Sequence, residues 1–459
     1  MSVTLTMNSQ GMCMLYFLLF IEGFIGLSYQ LLFFRQLTPH VGSSHVTDAW
    51  IIGFFLGALS LGYKAGGRLR KSPLITLGHN LLLSSVIGSI MLTPQIINLF
   101  FSGADTLLPR SASLIVYCIF AVVPVAYIMG QSLPLLIQYK GLGNSPSEQG
   151  GNALGLSTIG SMAGAIIPAS FIMPVIGATM TVVVVSLTAM LTGGLLLVRN
   201  KSVKSAFLIA LAIAAQIFPL SMYSKSIHFT SSLYADIYYL EKGEDQYMYA
   251  NGSAMSVRNK TGGNSAAYIN KFHQTLQVHE VENKNILVIG AGGFMAHTNN
   301  VGNNNFTYLD IDGELASWAK QYFGLNPEEV SFIVDDARAH LISDKTQWDV
   351  IFLDAFSSRY SHPEHLVTQE FFALLRDRVK VDGKLVVNTI ISPTFDNTFS
   401  RSMHSTITSV FPYCQVDQVT PLANEANVQY LCFNRKEKEV IYRDDKHSVS
   451  QDVANSHRK

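Results

Sequence analysis

Apolar and polar positions along this chain follow two regimes. Up to about residue 223 the apolar runs are long: about 13–34, 46–63, 74–100, 113–138, 154–175, 178–198 and 205–223. Crossing about 30 Å of hydrocarbon takes roughly 20 helical residues, so these runs predict about seven membrane helices. Residues 1–12 carry no basic segment and further spans follow, which argues against a cleaved signal peptide. Gly155, Gly160 and Gly164, like Gly53 and Gly57, recur at spacings that let helix backbones approach closely in lipid.

Beyond residue 228 the pattern shortens. Residues 228–258 alternate aromatic, apolar and polar side chains around Asn251-Gly252, which reads as a small antiparallel β unit. A helix is expected over about 264–278. Strands then alternate with amphipathic helices: strands Asn285–Ile289, Phe306–Ile311, Val330–Val334, Trp348–Leu353 and Lys384–Thr389, helices at about Gly313–Tyr322, Ala337–Ile342, Leu366–Val379 and Thr394–Val410, and two last β runs at 412–419 and 427–433. Such alternation predicts an α/β domain with a doubly wound, mostly parallel sheet, Rossmann-like and of class I methyltransferase type. The expected divisions are a multi-span membrane domain at 1–224, the β unit at 225–263, the α/β domain at 264–435 and a disordered tail at 436–459.

Composition sharpens the division. Residues 1–204 hold ten Lys/Arg and four Asp/Glu, a net +6; residues 205–459 hold 22 and 28, a net −6, and the two cancel to zero. This excludes a single soluble domain, a disordered chain and a basic nucleic-acid binder. The mean hydropathy of +0.26 reflects the first half. Eight basic residues (Lys64, Arg68, Arg70, Lys71, Lys140, Arg199, Lys201, Lys204) flank one side of the spans, against Arg35 and Arg110 on the other, so the N-terminus is expected in the cytoplasm. Seven crossings then put the C-terminal domain outside, whereas nucleotide chemistry favours the cytoplasm. The sequence leaves that side open. Glu22 and Asp48, and more weakly His79, are ionisable groups within spans: either a cation or substrate path, or groups at helix ends paired with Arg35, His40 or backbone. Cys13, Cys118, Cys414 and Cys432 lie far apart and read as structural thiols.

Ligands of open α/β sheets bind beyond the C-terminal strand ends. The first strand ends in Gly290-Ala-Gly-Gly293, where glycine permits a tight turn and close backbone approach. Twenty residues after Gly290, Asp310 ends the second strand, with Asp312 behind it; a carboxylate there can accept both hydroxyls of a ribose. Met295 stands where a dinucleotide fingerprint has its last glycine, so an adenosyl-sulfur ligand suits the loop better than a diphosphate. The third strand runs into Asp335-Asp336-Ala337-Arg338, where Asp336 is either a helix cap or an acceptor for an adenine amino group. The fourth ends in Asp354, placed to act as a general base or cation clamp. His residues occur at no ligand spacing, and no metal or prosthetic group is expected.

Together these residues resemble the spermidine synthase (polyamine aminopropyltransferase) family, in particular its bacterial membrane-fused branch. The likeness runs through Gly23-Phe24 to Gln30, Gly42-Ser43-Ser44, Phe55-Leu56-Gly57, Gly66-Gly67-Arg68-Leu69, Leu309 to Asp312, Asp336-Ala337-Arg338, Asp354 to Ser358 and His365 to Thr368 with Glu370-Phe371. It implies a multi-pass protein of the bacterial inner membrane that moves an aminopropyl group from decarboxylated S-adenosylmethionine, a co-substrate, to putrescine or another amine. It implies that Gly290, Gly292, Gly293, Asp310, Asp312, Asp336 and Ala337 hold the donor, that Asp354 acts on the amine, and that Tyr268 and Ser357 bind it. The lipid bilayer and a second copy of the chain are the other partners it implies. This sequence departs from the family where Gly293 replaces the loop acid, Ile269 and Asn270 follow Tyr268, Ser357 replaces the second strand-four acid, and Arg359 replaces an acid present in some relatives. Two further readings stay open: an S-adenosylmethionine-dependent methyltransferase, and a non-catalytic nucleotide- or polyamine-sensing domain coupled to a transport bundle.

Overall fold

The computed structural model describes residues 9–41, 45–69, 72–104, 107–139, 141–198, 202–225, 228–251, 253–260, 266–298, 300, 302–355, 363–419 and 426–434. The expected tail at 436–459 and the candidate Ser357 lie outside them.

The first half is helical: α1 (Ser9–Val41), α2 (His45–Gly66), α3 (Pro73–Met91), α4 (Pro94–Ala104), α5 (Arg110–Tyr117), α6 (Val123–Gly130), α7 (Ser132–Ile137), α8 (Pro146–Ile167), α9 (Met173–Leu197) and α10 (Val203–Lys225). Among the described residues, six helical stretches are long and apolar enough to cross a membrane, one of them the 52-residue Pro146–Leu197. At 1.5 Å per residue that stretch would run about 78 Å, more than twice a hydrocarbon core. It breaks instead at Gly177, whose φ of 81° only glycine adopts freely. The apolar runs at 154–175 and 178–198 are its two arms.

Named contacts fix the direction of each arm. A Cβ on Gly160 would meet the Phe20 carbonyl and one on Gly164 the Phe24 carbonyl, so α8 runs parallel to α1. Gly62 meets Tyr127 and Gly66 meets Gln131, so α2 and α6 are parallel. Ser85 Oγ donates to the Ser186 carbonyl (2.8 Å) while Gly78 lies against Gly193, so α3 and α9 are antiparallel. His79 bonds Ser205 (2.9 Å) and Gln216 donates to Ser85 and Ser89, so α10 follows α3. Of the glycines singled out by spacing, Gly160 and Gly164 pack backbone on backbone; Gly155, Gly53 and Gly57 face open space.

Glu22 is buried where α1 and α8 meet and accepts a hydrogen bond from Ser157 Oγ (2.6 Å). Its partner is therefore a helix-interior serine rather than Arg35 or His40. Arg35 reaches out of the bundle to Asp236 (3.9 Å).

The second half begins with a four-stranded antiparallel sheet, β1 (Phe229–Ser231), β2 (Asp236–Lys242), β3 (Asp245–Ala250) and β4 (Ser253–Asn259), followed by α11 (Ala267–Val278). The main sheet uses β5 (Asn285–Ile289), β6 (Asn305–Asp310), β7 (Ser331–Val334), β8 (Trp348–Leu353), β9 (Val379–Ile391), β10 (Cys414–Gln418) and β11 (Ala426–Phe433), in the order β10-β11-β9-β8-β5-β6-β7. β5 to β9 are parallel; β10 and β11 join antiparallel. The covering helices are α12 (Glu314–Tyr322), α13 (Ala337–Ser343), α14 (Gln369–Arg378) and α15 (Thr398–Val410). Parallel strands covered on both faces read as continuous apolar runs, and Ile286–Ile289 and Val350–Leu353 are buried throughout.

Two differences from the sequence pattern stand out, in β9 and in the cysteines. β9 extends from Val379 to Ile391, well beyond the apolar run at 384–389, because Val379 and Lys384 pair with β8. The loop after β5 forms no helix among its described residues, in line with the poor helix formers of 299–305, and Phe294 and Asn303 take positive φ. Cys414 and Cys432 are a disulfide rather than separate thiols. They face one another in the β10–β11 register, a pairing that the 18-residue separation hid until the strands met.

Candidate active site

The strand-end residues line one cavity of about 830 Å³ above β5, β6, β8 and β9. Gly290 closes β5 with φ 97°, and a Cβ there would strike the Asp354 carbonyl. The next strand-end loop is thus packed directly on the glycine turn. Ser256 of β4 accepts from the Gly293 amide (2.8 Å), so the small sheet seats on the same turn.

Asp310 stands at the end of β6. Its Oδ2 accepts from the Ala291 amide (2.7 Å) and its Oδ1 from the Asp312 amide (2.9 Å). Burial pushes its carboxyl up from the ordinary value, against the pull of those amides. The side chain is so fixed that it clamps the glycine loop while lining the cavity. Asp312, behind it, accepts from Ser232 Oγ (2.6 Å) and the Glu314 amide (3.2 Å), and burial likewise raises it.

Asp336 serves the local role open to it: its Oδ1 caps α13 by accepting from the Ala339 amide (2.9 Å). Its Oδ2 meets His365 Nε2 at 2.9 Å, and Asp336, Ala337 and His365 all reach the cavity. The cap and a ligand role are therefore compatible.

Asp354 follows β8. Oδ1 accepts from Asn388 Nδ2 (2.8 Å), and the Tyr268 hydroxyl lies within reach of the same carboxylate and of the Met255 carbonyl (3.3 Å). Burial pushes this carboxyl up to about 7, with both hydrogen bonds working in the opposite direction. Tyr268 is itself raised well above the ordinary phenol range, first by burial and then by the Asp354 charge. A carboxyl poised near neutrality beside a locked tyrosine can exchange a proton with an incoming amine. Asn388 Oδ1 is buried with no partner among the described residues, leaving an acceptor at the cavity wall.

The cavity brings together Gly290, Gly292, Asp310, Asp312, Asp336, Ala337, Tyr268 and Asp354; Gly293 lies outside its lining, beside Ser256 and Phe323. Sequence reasoning missed Asn388, although a polar residue in the apolar run Val386-Val387 was a usable signal. It also missed Pro39, His40, Asn98, Phe101 and Ser102, bundle residues that line the same cavity. No local pattern marks them, because only the docking of the two halves brings them there.

Sheet order and strand-end carboxylates define a Rossmann-like domain of methyltransferase type. Residues 270–443 match the family model described as the Spermine/spermidine synthase domain. A probable polyamine aminopropyl transferase of Bifidobacterium longum is 29% identical over 107 residues, 23% of this chain and 24% of that protein. A polyamine aminopropyltransferase of Vibrio vulnificus is 32% identical over 111 residues, 23% of this chain and 37% of that protein. The chain thus spans well under half the length of these relatives. A probable spermidine synthase of Corynebacterium glutamicum superposes with a TM-score of 0.39 at 17% identity, over 50% of this chain and 85% of that one.

Proposed function

We propose that the chain is a membrane-bound aminopropyltransferase acting from decarboxylated S-adenosylmethionine on putrescine or another small amine. In this reading the apolar helices embed it in a bacterial cell membrane. Asp310 accepts the ribose hydroxyls and Asp336 the adenine amino group, with Ala337 and the Gly290–Gly293 turn against the adenosyl group. The observation that carries the reading is Asp354, a buried carboxyl held at about 7 by burial against Tyr268 and Asn388, in the same cavity as Asp310.

The reaction asks little beyond this. A sulfonium is already a good leaving group. The amine nitrogen forms a C–N bond to the terminal aminopropyl carbon as the C–S bond breaks, its electron pair going to sulfur to give methylthioadenosine. The proton lost by nitrogen passes to Asp354. Tyr268 and Asn388 orient that carboxylate, so the gain comes from positioning and proton transfer. Ser357 stands in the sequence where the family has its second strand-four acid, so this chain offers fewer carboxylates than a diamine dication favours, which supports an acceptor of lower charge.

The test is to incubate the full-length protein, purified in detergent, with decarboxylated S-adenosylmethionine and a panel of mono- and diamines, following methylthioadenosine by mass spectrometry. Release dependent on both amine and Asp354 supports the reading. No methylthioadenosine with any amine overturns it. Methyl transfer from S-adenosylmethionine favours the methyltransferase reading instead. The sensor reading has the buried Glu22–Ser157 pair behind it and predicts amine flux into vesicles that Glu22→Gln abolishes.

A further inference from the structure

We propose that the C-terminal domain and its cavity stand on the non-cytoplasmic face of the membrane, so that the acceptor amine enters from that side. The inference rests on the bundle spanning the bilayer. The helix directions fix which end of the bundle the domain occupies. α1 enters from the far end and finishes beside the domain, where Arg35 pairs with Asp236 and His40 lines the cavity. α3 also finishes there, since Tyr117 at the head of the next span donates to the Met91 carbonyl and stacks on Phe101, which stacks on His40. α8 runs parallel to α1 and so arrives at the domain end. α9 runs antiparallel to α3 and so leaves it, and α10 follows α3 back to the domain. The chain therefore crosses seven times, with Gly177 at the domain end.

Charge then assigns the compartments. In sequence, the segments that join the helix ends remote from the domain, with their flanks, carry Lys64, Arg68, Arg70, Lys71, Lys140, Arg199, Lys201 and Lys204; those at the domain end carry Arg35, Arg110 and Lys225. Short loops rich in Lys and Arg stay in the cytoplasm, so the domain end is the outer one. The Cys414–Cys432 disulfide, an independent feature of the domain itself, fits an oxidising compartment and not the reducing cytoplasm. Pro39, His40, Asn98 and Phe101 complete the cavity wall, so the acceptor amine reaches the site at the membrane–water boundary on that side, while the adenosyl donor of the proposed reaction has to be delivered there from the cytoplasm.

Cysteine accessibility tests the placement without any appeal to activity. In a Cys13→Ser background, single variants Glu328→Cys, on the exposed surface of the domain, and Ser147→Cys, at the remote end, are treated in spheroplasts with a membrane-impermeant maleimide. Both positions are exposed. The expected result is at least tenfold faster labelling of Glu328→Cys, with Ser147→Cys labelled only after permeabilisation. The reverse pattern, or equal labelling of both in sealed spheroplasts, overturns the placement. Release of the protein by alkaline carbonate would instead remove the membrane-spanning premise, and the placement with it. Acid-quenched cells are expected to show Cys414 and Cys432 blocked to alkylation until reduced; free thiols there also count against the proposal.

Discussion

Asn388 Nδ2 donates to Asp354 Oδ1 across 2.8 Å, tying the middle of β9 to the loop that follows β8. This bond and that of Tyr268 are what keep the buried carboxyl from rising further than about 7.

If Asp354 takes the amine's proton, turnover requires it ionised, so activity should rise with pH through about 7. Asn388→Ala or Tyr268→Phe removes a donor to the charged form, an interaction of about 1.5 kcal/mol, and should move that limb up by about one pH unit. A pH–rate profile of kcat for the wild type and both variants checks this. An unmoved limb would assign it to another group.

The same carboxyl has a thermodynamic signature. Its folded value of about 7 exceeds the ordinary 3.8, so the folded protein binds more protons than the unfolded one between them. Asp354 therefore costs stability progressively as pH rises through that window. Asp354→Asn should raise stability at pH 8 by about 4 kcal/mol and leave it nearly unchanged at pH 4. Paired thermal melts at the two pH values decide.

Asp310 accepts two backbone amides and, in the proposed reading, the ribose. Loss of a charge-assisted bond costs about 1.5–3 kcal/mol, so Asp310→Ala should weaken methylthioadenosine binding about 10- to 100-fold. Isothermal titration reads this directly; equal affinity in the variant would remove Asp310 from the site.

Gly160 lies backbone to backbone with Phe20, whereas Gly155, on the same helix, faces open space. Gly160→Leu should force α1 and α8 apart and lower the melting temperature in detergent by several degrees; Gly155→Leu should be within about 0.5 kcal/mol of wild type. Similar melting of the two variants would contradict the parallel packing of these helices.

Reducing the Cys414–Cys432 bridge, which closes a loop of 18 residues, should cost the C-terminal domain about 3 kcal/mol. Melting with and without reductant measures it, with Cys414→Ser/Cys432→Ser as the insensitive control.

Periodicity was enough to reveal the two halves, the seven apolar runs, the alternation of strands and helices, and the carboxylates at the strand ends. Each depends on local spacing: a hydrocarbon core demands a run of set length, and a parallel strand buried on both faces must be apolar until its end, so Asp310 and Asp354 stand out. Other features needed atoms distant in sequence. Asp336 could not be resolved between cap and ligand group until α13 and His365 were placed; it caps α13 with one oxygen and meets His365 at the cavity with the other. The Cys414–Cys432 bond depends on the β10–β11 register, and the neutral poise of Asp354 on burial beneath Tyr268 and Asn388. The bundle's part in the cavity, through His40 and Phe101, exists only where the two halves dock, beside the Arg35–Asp236 pair, and no local pattern in either half records that contact.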